Sequence, residues 1–561
     1  MNLRNGLLVA SIALVLTACN DSDSTEVVVP AAPVDVKLIA INDFHGNIEA
    51  ADGITLTLPD PKDPSKTIKE PVGGAEYLAT WIKNLKAKNP NNVVVSAGDL
   101  IGGSPMISAL YHDEPTIEAM NALGLDINAV GNHEFDDGHA ELMRMQNGGC
   151  HADKVGCADG KFEGAKFKFL AANVLDSKTG KTILPAYQIK EFKGAKIGFI
   201  GMTLKGTPGI VTPAGVAGLE FQDEVETANK LVPELQKQGV EAIVVLLHEG
   251  GIPADAQING CKDIAGPIVD IVKKLDKAID IVISGHTHKP YNCTINDKLV
   301  TSAYQYGGMV TDIDLTIDPK TGHVSKMSAN NLAVTRNVAK DPAQTSLIEK
   351  FLKLVTPLKD RVVGTVAGAL PRLVDPVGAG ESVLGRVIAD SQLAATAEKD
   401  LGASKVAFMN PGGVRADLTP DAEGKVTYGK LFAVQPFGNS LVTMTLTGEQ
   451  IDKVLEQQWN GTSAKIMQVS AGFSYVWSKS KPNGSKIDIA SIKLNGVAID
   501  PKASYRVTVN NFMASGGDGY LEFVNGKDVQ GGAQDIDALE SYIKKNPKLA
   551  VPSVERISVL N

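Results

Sequence analysis

The residues best suited to chemistry in this 561-residue chain stand where apolar runs stop. The segment NAVGNHEFDDG, residues 128–138, breaks from an apolar run into an amide (Asn132), an imidazole (His133) and carboxylates that include Asp136. Four more segments behave alike. LIAINDFHGN stops at Asp43 and His45, VVVSAGDLIGG at Asp99, AIVVLLHEGG at His248, and DIVISGHTHKP at His286 and His288. Each is a short β-branched run broken by glycine or by a ligand-type residue. Strand ends in an open α/β sheet present their loops along one edge, so donors far apart in sequence can converge there. A single Asp or His after a strand is an ordinary cap or turn residue. Five such breaks in series, carrying two aspartates, one asparagine and four histidines, point to a site.

The donor types narrow the chemistry. Oxygen donors alone would indicate Mg²⁺ or Ca²⁺, whereas four imidazoles with two carboxylates and an amide indicate a first-row ion: Mn²⁺, Fe²⁺, Co²⁺ or Zn²⁺, with Mg²⁺ as a supporting ion. Seven donors are too many for one tetrahedral ion and suit two ions about 3.5–4 Å apart, sharing a carboxylate and a water. Asp99 stands alone on its strand end and is the natural bridge. Two ions that acidify a water and clamp an oxyanion suit attack on phosphorus, and the uncharged amide of Asn132 would limit the negative charge that an entering phosphate meets.

The elements that carry these residues follow from periodicity. Tyr77, Leu78, Trp81, Ile82 and Leu85 fall at helical spacing and predict a helix over 74–88; Pro115 opens another that stops at Gly124. Residues 224–238 and 264–276 read as two more helices, and 166–171, 196–202, 242–247, 279–284 and 311–317 as strands. Residues 205–218, rich in glycine and proline, read as a long loop. This is an α/β layer structure over residues 34–340. At 341–362, QTSLIEKFLKLVTPLKD predicts a linker helix and hinge. Residues 363–561 form a second α/β domain, whose apolar runs again end in glycine-rich turns. Two domains fit the length, and 43% hydrophobic with 21% charged residues is ordinary globular composition. A net charge of -9 gives no footprint for polymeric nucleic acid.

Residues 1–18 carry Arg4, an apolar run and small residues before Cys19, a secretory signal too short to span a membrane. Leu16-Thr17-Ala18-Cys19 resembles the bacterial lipobox, which implies lipidation of Cys19, a tether over 19–33 and, with Asn20 following, the outer membrane, facing periplasm or cell surface. Four cysteines remain for an oxidising compartment. Cys150 with Cys157 and Cys261 with Cys293 is the expected pairing, one of three connectivities.

The ordered set of Asp43 and His45, Asp99, Asn132 to Asp136, His248, and His286 with His288 resembles the calcineurin-like metallophosphoesterases. Together with NPGGVR, QPFGN and NNFMASGGDGY, it resembles the two-domain 5'-nucleotidase family over nearly all of the mature chain. The resemblance implies a four-layer α/β/β/α first domain and a substrate-binding second domain. It implies that Asp43, His288 and His45 hold one ion and Asn132, His248 and His286 the other, with Asp99 shared. Some periplasmic members carry Gln where this chain has His288. His133 and Asp136 match the catalytic dyad, and Glu134 is left as a structural neighbour.

In the second domain Phe437 and Phe512 match the aromatic pair that sandwiches the base, Asp518 the ribose acceptor, Asn439 a base-edge contact, and Arg415 a phosphate-binding arginine beside Asn410 and Gly413. Arg372 and Arg386 are candidates for the family's further arginines, at loosened spacing. The function implied is hydrolysis of nucleoside 5'-monophosphates by a two-metal hydroxide mechanism, for salvage outside the cytoplasm. UDP-sugar pyrophosphatase and 2',3'-cyclic phosphodiesterase chemistry would use the same ions. A non-catalytic nucleotide-binding surface protein would tolerate missing ligands, and none is missing. A monomer or homodimer, lipid-anchored, is the expected form.

Overall fold

The computed structural model describes residues 32–561 apart from 52–53, 61, 153–154, 158–159, 212–213, 374–377, 462 and 553–555. The leader, Cys19 and most of the tether therefore lie outside the described residues. Among those described, no helix is long and apolar enough to cross a membrane.

Two six-stranded sheets form the heart of the first domain. In one, the strands run in the order Val324–Ala333, Met309–Ile317, Val34–Ile41, Asn92–Ser96, Ile127–Ala129, Lys168–Leu170. The last four are mutually parallel and the first two antiparallel additions. In the other, Ile279–Ser284 and Ala242–His248 lie parallel at the centre, flanked by Ala195–Thr203 and Lys298–Ser302, with Tyr187–Phe192 and Tyr291–Ile295 at the edges. Val36, Leu38, Val95 and Ile127 of one sheet share a core with Phe199, Val244, Leu246 and Ile283 of the other, so the sheets face each other. Central strands covered on both faces need near-continuous apolar runs, which is why Val93–Val95 and Val244–Leu247 carry no polar residue.

Helices cover the outer faces. Ala75–Lys86 buries Leu78, Ile82 and Leu85 at helical spacing, and Glu114–Leu123 ends at Gly124, whose φ of 82° closes the helix in the left-handed region. On the other side, Glu224–Lys237 starts at Asp223, whose carboxylate accepts the N–H of Val225 and Glu226 at 3.0 and 3.1 Å. The result is the four-layer α/β/β/α order expected.

The helix Pro342–Lys359 is capped by Asp341, which accepts the Ala343 and Gln344 N–H groups. Its Ile348, Phe351 and Val355 pack into the first domain's helical core. It thus packs on the first domain's helices at the junction where the chain passes to the second. There Lys359 pairs with Glu49 at 2.7 Å, Arg361 pairs with Glu540, and the Tyr428 N–H donates to the Arg361 carbonyl at 2.9 Å.

The second domain is built on the sheet Gln468–Val469, Val406–Met409, Ser504–Asn510, Ser440–Thr447, Lys527–Gln534. Helices Val383–Thr396 and Asp535–Lys545 share one core with it, and Gly448–Glu456 with the strand Phe473–Ser478 shares a second. The structure adds elements that periodicity left out, chiefly the hairpin Thr55–Asp60 with Asp63–Pro71 and the edge strand Val324–Ala333. Both disulfides join the expected partners, Cys150 with Cys157 and Cys261 with Cys293.

Candidate metal centre and substrate cleft

All five strand-end loops meet at one edge of the facing sheets, and they are tied to one another by backbone groups. The N–H of Asp43 donates to the Gly98 carbonyl and that of His45 to the Asp99 carbonyl, both at 3.0 Å. His286 donates its N–H to Asp43 Oδ1 at 3.0 Å, and His248 Nδ1 meets the Ala97 carbonyl at 2.8 Å. Glu134 accepts the N–H of Asp99 at 3.0 Å, of Leu100 at 2.9 Å and of Gly131, so its carboxylate joins the second and third loops. Gly98 has φ 93° and no room for a side chain, since a Cβ would lie 2.7 Å from the Gly131 nitrogen.

Asp43, His45, Asp99, His286 and His288 all take positive φ, between 46° and 70°. Such backbone is costly for residues other than glycine, and its concentration on donor positions marks a functional constraint.

Three sets of donors converge within 4.8 Å: Asp43, His45 and His288; His45, Asp99 and His133; and Asp99, His248 and His286. Asp99 and His45 each belong to two of them, so the three sets form one continuous cluster. His288 Nε2 is 3.2 Å from Asp43 Oδ1, and His248 Nε2 is 2.9 Å from Asp99 Oδ2. Beyond this close approach the buried His248 Nε2 has no partner. The Oδ1 of Asn132 is likewise buried without a partner. His45 Nδ1 meets the Gly102 carbonyl at 2.8 Å, which turns Nε2 toward His288 Nε2 at 3.2 Å. Two ring nitrogens at that separation require a proton or a cation between them.

The electrostatics agree. Burial holds the His45 imidazole well below the usual histidine range, and burial with His248 nearby lowers His286 to about 3. Both are neutral and present lone pairs. Burial opposes charge on His248, but Asp99 and Asp43 raise it to about 10. Two fully buried carboxylates thus draw compensating positive charge into the cluster, which divalent cations would supply. The residues fit the group.

His133 and Asp136 stand beside the cluster with Nδ1 and Oδ2 2.6 Å apart. Burial works against charge there too, yet Asp136 and Asp99 raise the His133 imidazole above its ordinary range.

Asn132, His133, Asp136 and His286 form one wall of a cleft of about 590 Å³, and the second domain forms the other with Asn410, Gly413, Arg415, Phe437, Asn439, Phe512 and Asp518. That volume is in the range of small-molecule sites. The Arg415 guanidinium lies over the Phe437 ring, 5.6 Å from its centroid. Phe512 lies against Gly517, where a Cβ would come within 2.5 Å of the ring, so glycine lets the aromatic lie flat.

Arg372 and Arg386 are not brought to the cleft wall. Arg372 donates to the Val414 carbonyl at 3.1 Å, and Arg386, 7% exposed, faces Glu381 with Nε 3.8 Å from its carboxylate. The helix Val383–Thr396 turns Arg386 into the second domain's interior, a direction that spacing alone does not reveal. Conversely, the cleft includes residues the sequence did not single out: the Gly102-Gly103-Ser104 turn, Asp137, Ile210 and Lys465. The turn could have been found from GGSP following the Asp99 loop; Lys465 carries no local signal.

Comparison with known proteins gives a consistent picture. Calcineurin-like phosphoesterase matches residues 36–290, and 5'-nucleotidase, C-terminal domain, matches residues 362–525. The chain is 34% identical over 522 residues to Endonuclease YhcR of Bacillus subtilis, covering 92% of this chain but only 40% of that protein's length. It is 31% identical to Cell wall protein Lmo0130 of Listeria monocytogenes, covering 96% of this chain and 70% of that one. Among solved structures, the 5'-nucleotidase precursor from Thermus thermophilus superposes with a TM-score of 0.75 at 27% identity, covering 94% of this chain and all of that one.

Proposed function

Because the chain belongs to the family that joins a calcineurin-like phosphoesterase domain to a 5'-nucleotidase C-terminal domain, we propose that it hydrolyses nucleoside 5'-monophosphates to nucleoside and phosphate outside the cytoplasm. The observation that carries this reading is the shared cleft. Donor residues Asn132 and His286 and the dyad His133–Asp136 line the same cavity as Arg415, Phe437 and Phe512.

Asp43, His45 and His288 would hold one divalent ion and Asn132, His248 and His286 a second, with Asp99 shared. When bound, such ions acidify water and offset charge on phosphoryl oxygens. The rest falls to this chain's own groups. Asp136 orients the His133 ring through Nδ1, leaving Nε2 to meet negative charge growing on the phosphoryl group. Arg415 offers a planar cation for the same group before reaction. Phe437 and Phe512 supply stacking faces for a base, an interaction of about 1–3 kcal/mol that tolerates different bases.

Nucleotide salvage from outside the cell is the role this suits. The leader ending in Cys19 supports a lipid-anchored protein of the outer membrane, and the two disulfides fit an oxidising compartment. Hydrolysis of AMP, UDP-glucose, 2',3'-cyclic AMP and ATP, each with chelator and with added Mn²⁺ and with the products separated by chromatography, tests the reading, since AMP yields adenosine and phosphate, UDP-glucose yields UMP and glucose 1-phosphate, and the cyclic diester yields a nucleoside monophosphate. AMP should have the highest kcat/KM, with activity lost to chelator and restored by Mn²⁺. A higher value on the cyclic diester or the sugar nucleotide would reassign the substrate.

A further inference from the structure

Lys465 is absent from every motif of the sequence, yet it occupies a built position in the cleft wall. Its N–H donates to the Gln458 carbonyl at 2.8 Å and its own carbonyl accepts from the Tyr520 hydroxyl, so the backbone is held at both ends. Gln458 and Tyr520 are themselves buried, and Gln458 Oε1 accepts from the Met467 N–H at 2.7 Å and the Tyr475 hydroxyl at 3.1 Å. A surface lysine has no such frame.

From that frame the Lys465 ammonium reaches Asp518 Oδ1 at 2.7 Å while Asn410 Nδ2 donates to Oδ2 at 2.7 Å. Asn410 is fixed in turn by Asn510, whose Nδ2 donates to Asn410 Oδ1 at 3.0 Å and whose Oδ1 accepts the Met513 N–H at 2.8 Å. Each Asp518 oxygen thus accepts one protein donor and keeps a further lone-pair site. The ammonium has three donors and spends one on Asp518. Its side chain is 35% exposed and lines the cleft.

We infer that Lys465 is a sugar-recognition residue: with Asp518 it forms a donor–acceptor pair for the vicinal 2',3'-hydroxyls of ribose, and selects ribonucleotides over 2'-deoxyribonucleotides. The inference rests on the nucleotidase reading above. Charge decides the class of ligand. An ammonium 2.7 Å from a carboxylate makes a patch of no net charge, which suits a neutral group better than a second phosphate. A vicinal diol presents hydroxyl donors and oxygen acceptors side by side, matching the carboxylate and the spare N–H groups. A site built to bond a hydroxyl discriminates strongly against the analogue that lacks it, because its own polar groups are left unpaired.

The test compares kcat/KM for AMP and 2'-deoxy-AMP in the wild type, Lys465→Met and Lys465→Arg. The wild type should prefer AMP on the order of tenfold or more. Lys465→Met should lower kcat/KM for AMP well beyond its effect on 2'-deoxy-AMP, so that most of the preference is lost, and Lys465→Arg should retain part of it. Equal loss on both substrates in Lys465→Met would show that Lys465 does not read the 2'-hydroxyl, and would overturn the inference while leaving the nucleotidase reading intact. A wild-type ratio near one would overturn it without reference to any variant. Absence of phosphate release from either nucleotide by the wild type would overturn both readings together.

Discussion

The Phe437 ring of the second domain lies nearly parallel to the His133 imidazole of the first, with centroids 5.8 Å apart and planes 12° from each other. The aromatic assigned to the base therefore touches the residue assigned to the phosphoryl group, across the boundary between the domains. Phe437→Ala should raise KM for AMP by roughly 5- to 150-fold, the equivalent of about 1–3 kcal/mol of stacking. Hydrolysis of ribose 5-phosphate, which has no base, should change far less. Parallel steady-state kinetics on the two substrates check this; equal losses would mean that Phe437 serves His133 rather than a base.

The dyad gives a second expectation. His133→Ala should lower kcat for AMP by roughly 10²- to 10⁴-fold, the range for loss of a positioned acid–base or charge-stabilising side chain. Asp136→Asn, which keeps the ring in place but removes the charge that raises His133, should lie between it and the wild type. Because His133 also stands within reach of His45 and Asp99, metal content should be measured alongside. An ion lost with the imidazole would make it a ligand.

Glu134 presents a stability prediction. Its buried carboxylate accepts three backbone N–H groups from two loops, and Glu134→Ala would leave them unpaired. At about 1–3 kcal/mol for each buried donor without a partner, the loss is several kcal/mol, visible as a lower Tm. Metal affinity should fall with it, since those loops carry Asp99 and Asn132. An unchanged Tm would remove Glu134 from the framework.

Acid stability should report on the crossing between the domains. Hydrogen bonds from Arg361, then Lys544, hold the Glu540 carboxyl down at about 2, below its ordinary 4.5. A depressed carboxylate stabilises the fold above its unfolded pKa, and that contribution fades as pH falls from about 4.5 toward 2. Glu540→Gln should flatten the denaturant midpoint across that window relative to the wild type. An identical pH slope in both proteins would show that the pair adds nothing.

Much of this was legible in sequence because strand ends announce themselves. Val93–Val95 and Val244–Leu247 can only be buried strands, and the Asp99 and His248 that follow have nowhere to stand but the sheet edge. Positive φ at Asp43 or His288 was not legible, since nothing local demands it; convergence of the loops imposes it. The hairpin around Asp60 and Asp63 escaped because its prolines and lysines hide its alternation. The direction of Arg386 is not legible, because a helical arginine before a sheet can face a ligand or the interior, and here it lies near Glu381. Lys465 was invisible for the opposite reason, being held by Gln458, Tyr520 and Asp518 from different parts of the chain.

The account depends most on Asp99, a buried carboxylate common to two of the donor sets found among the described residues. Elemental analysis of the wild type and Asp99→Asn, after equilibration with Mn²⁺ and removal of free ion, tests it directly. The wild type should retain about two ions per chain, and Asp99→Asn should retain fewer. A wild type free of bound metal, or an Asp99→Asn variant that keeps the full complement, would contradict the shared centre.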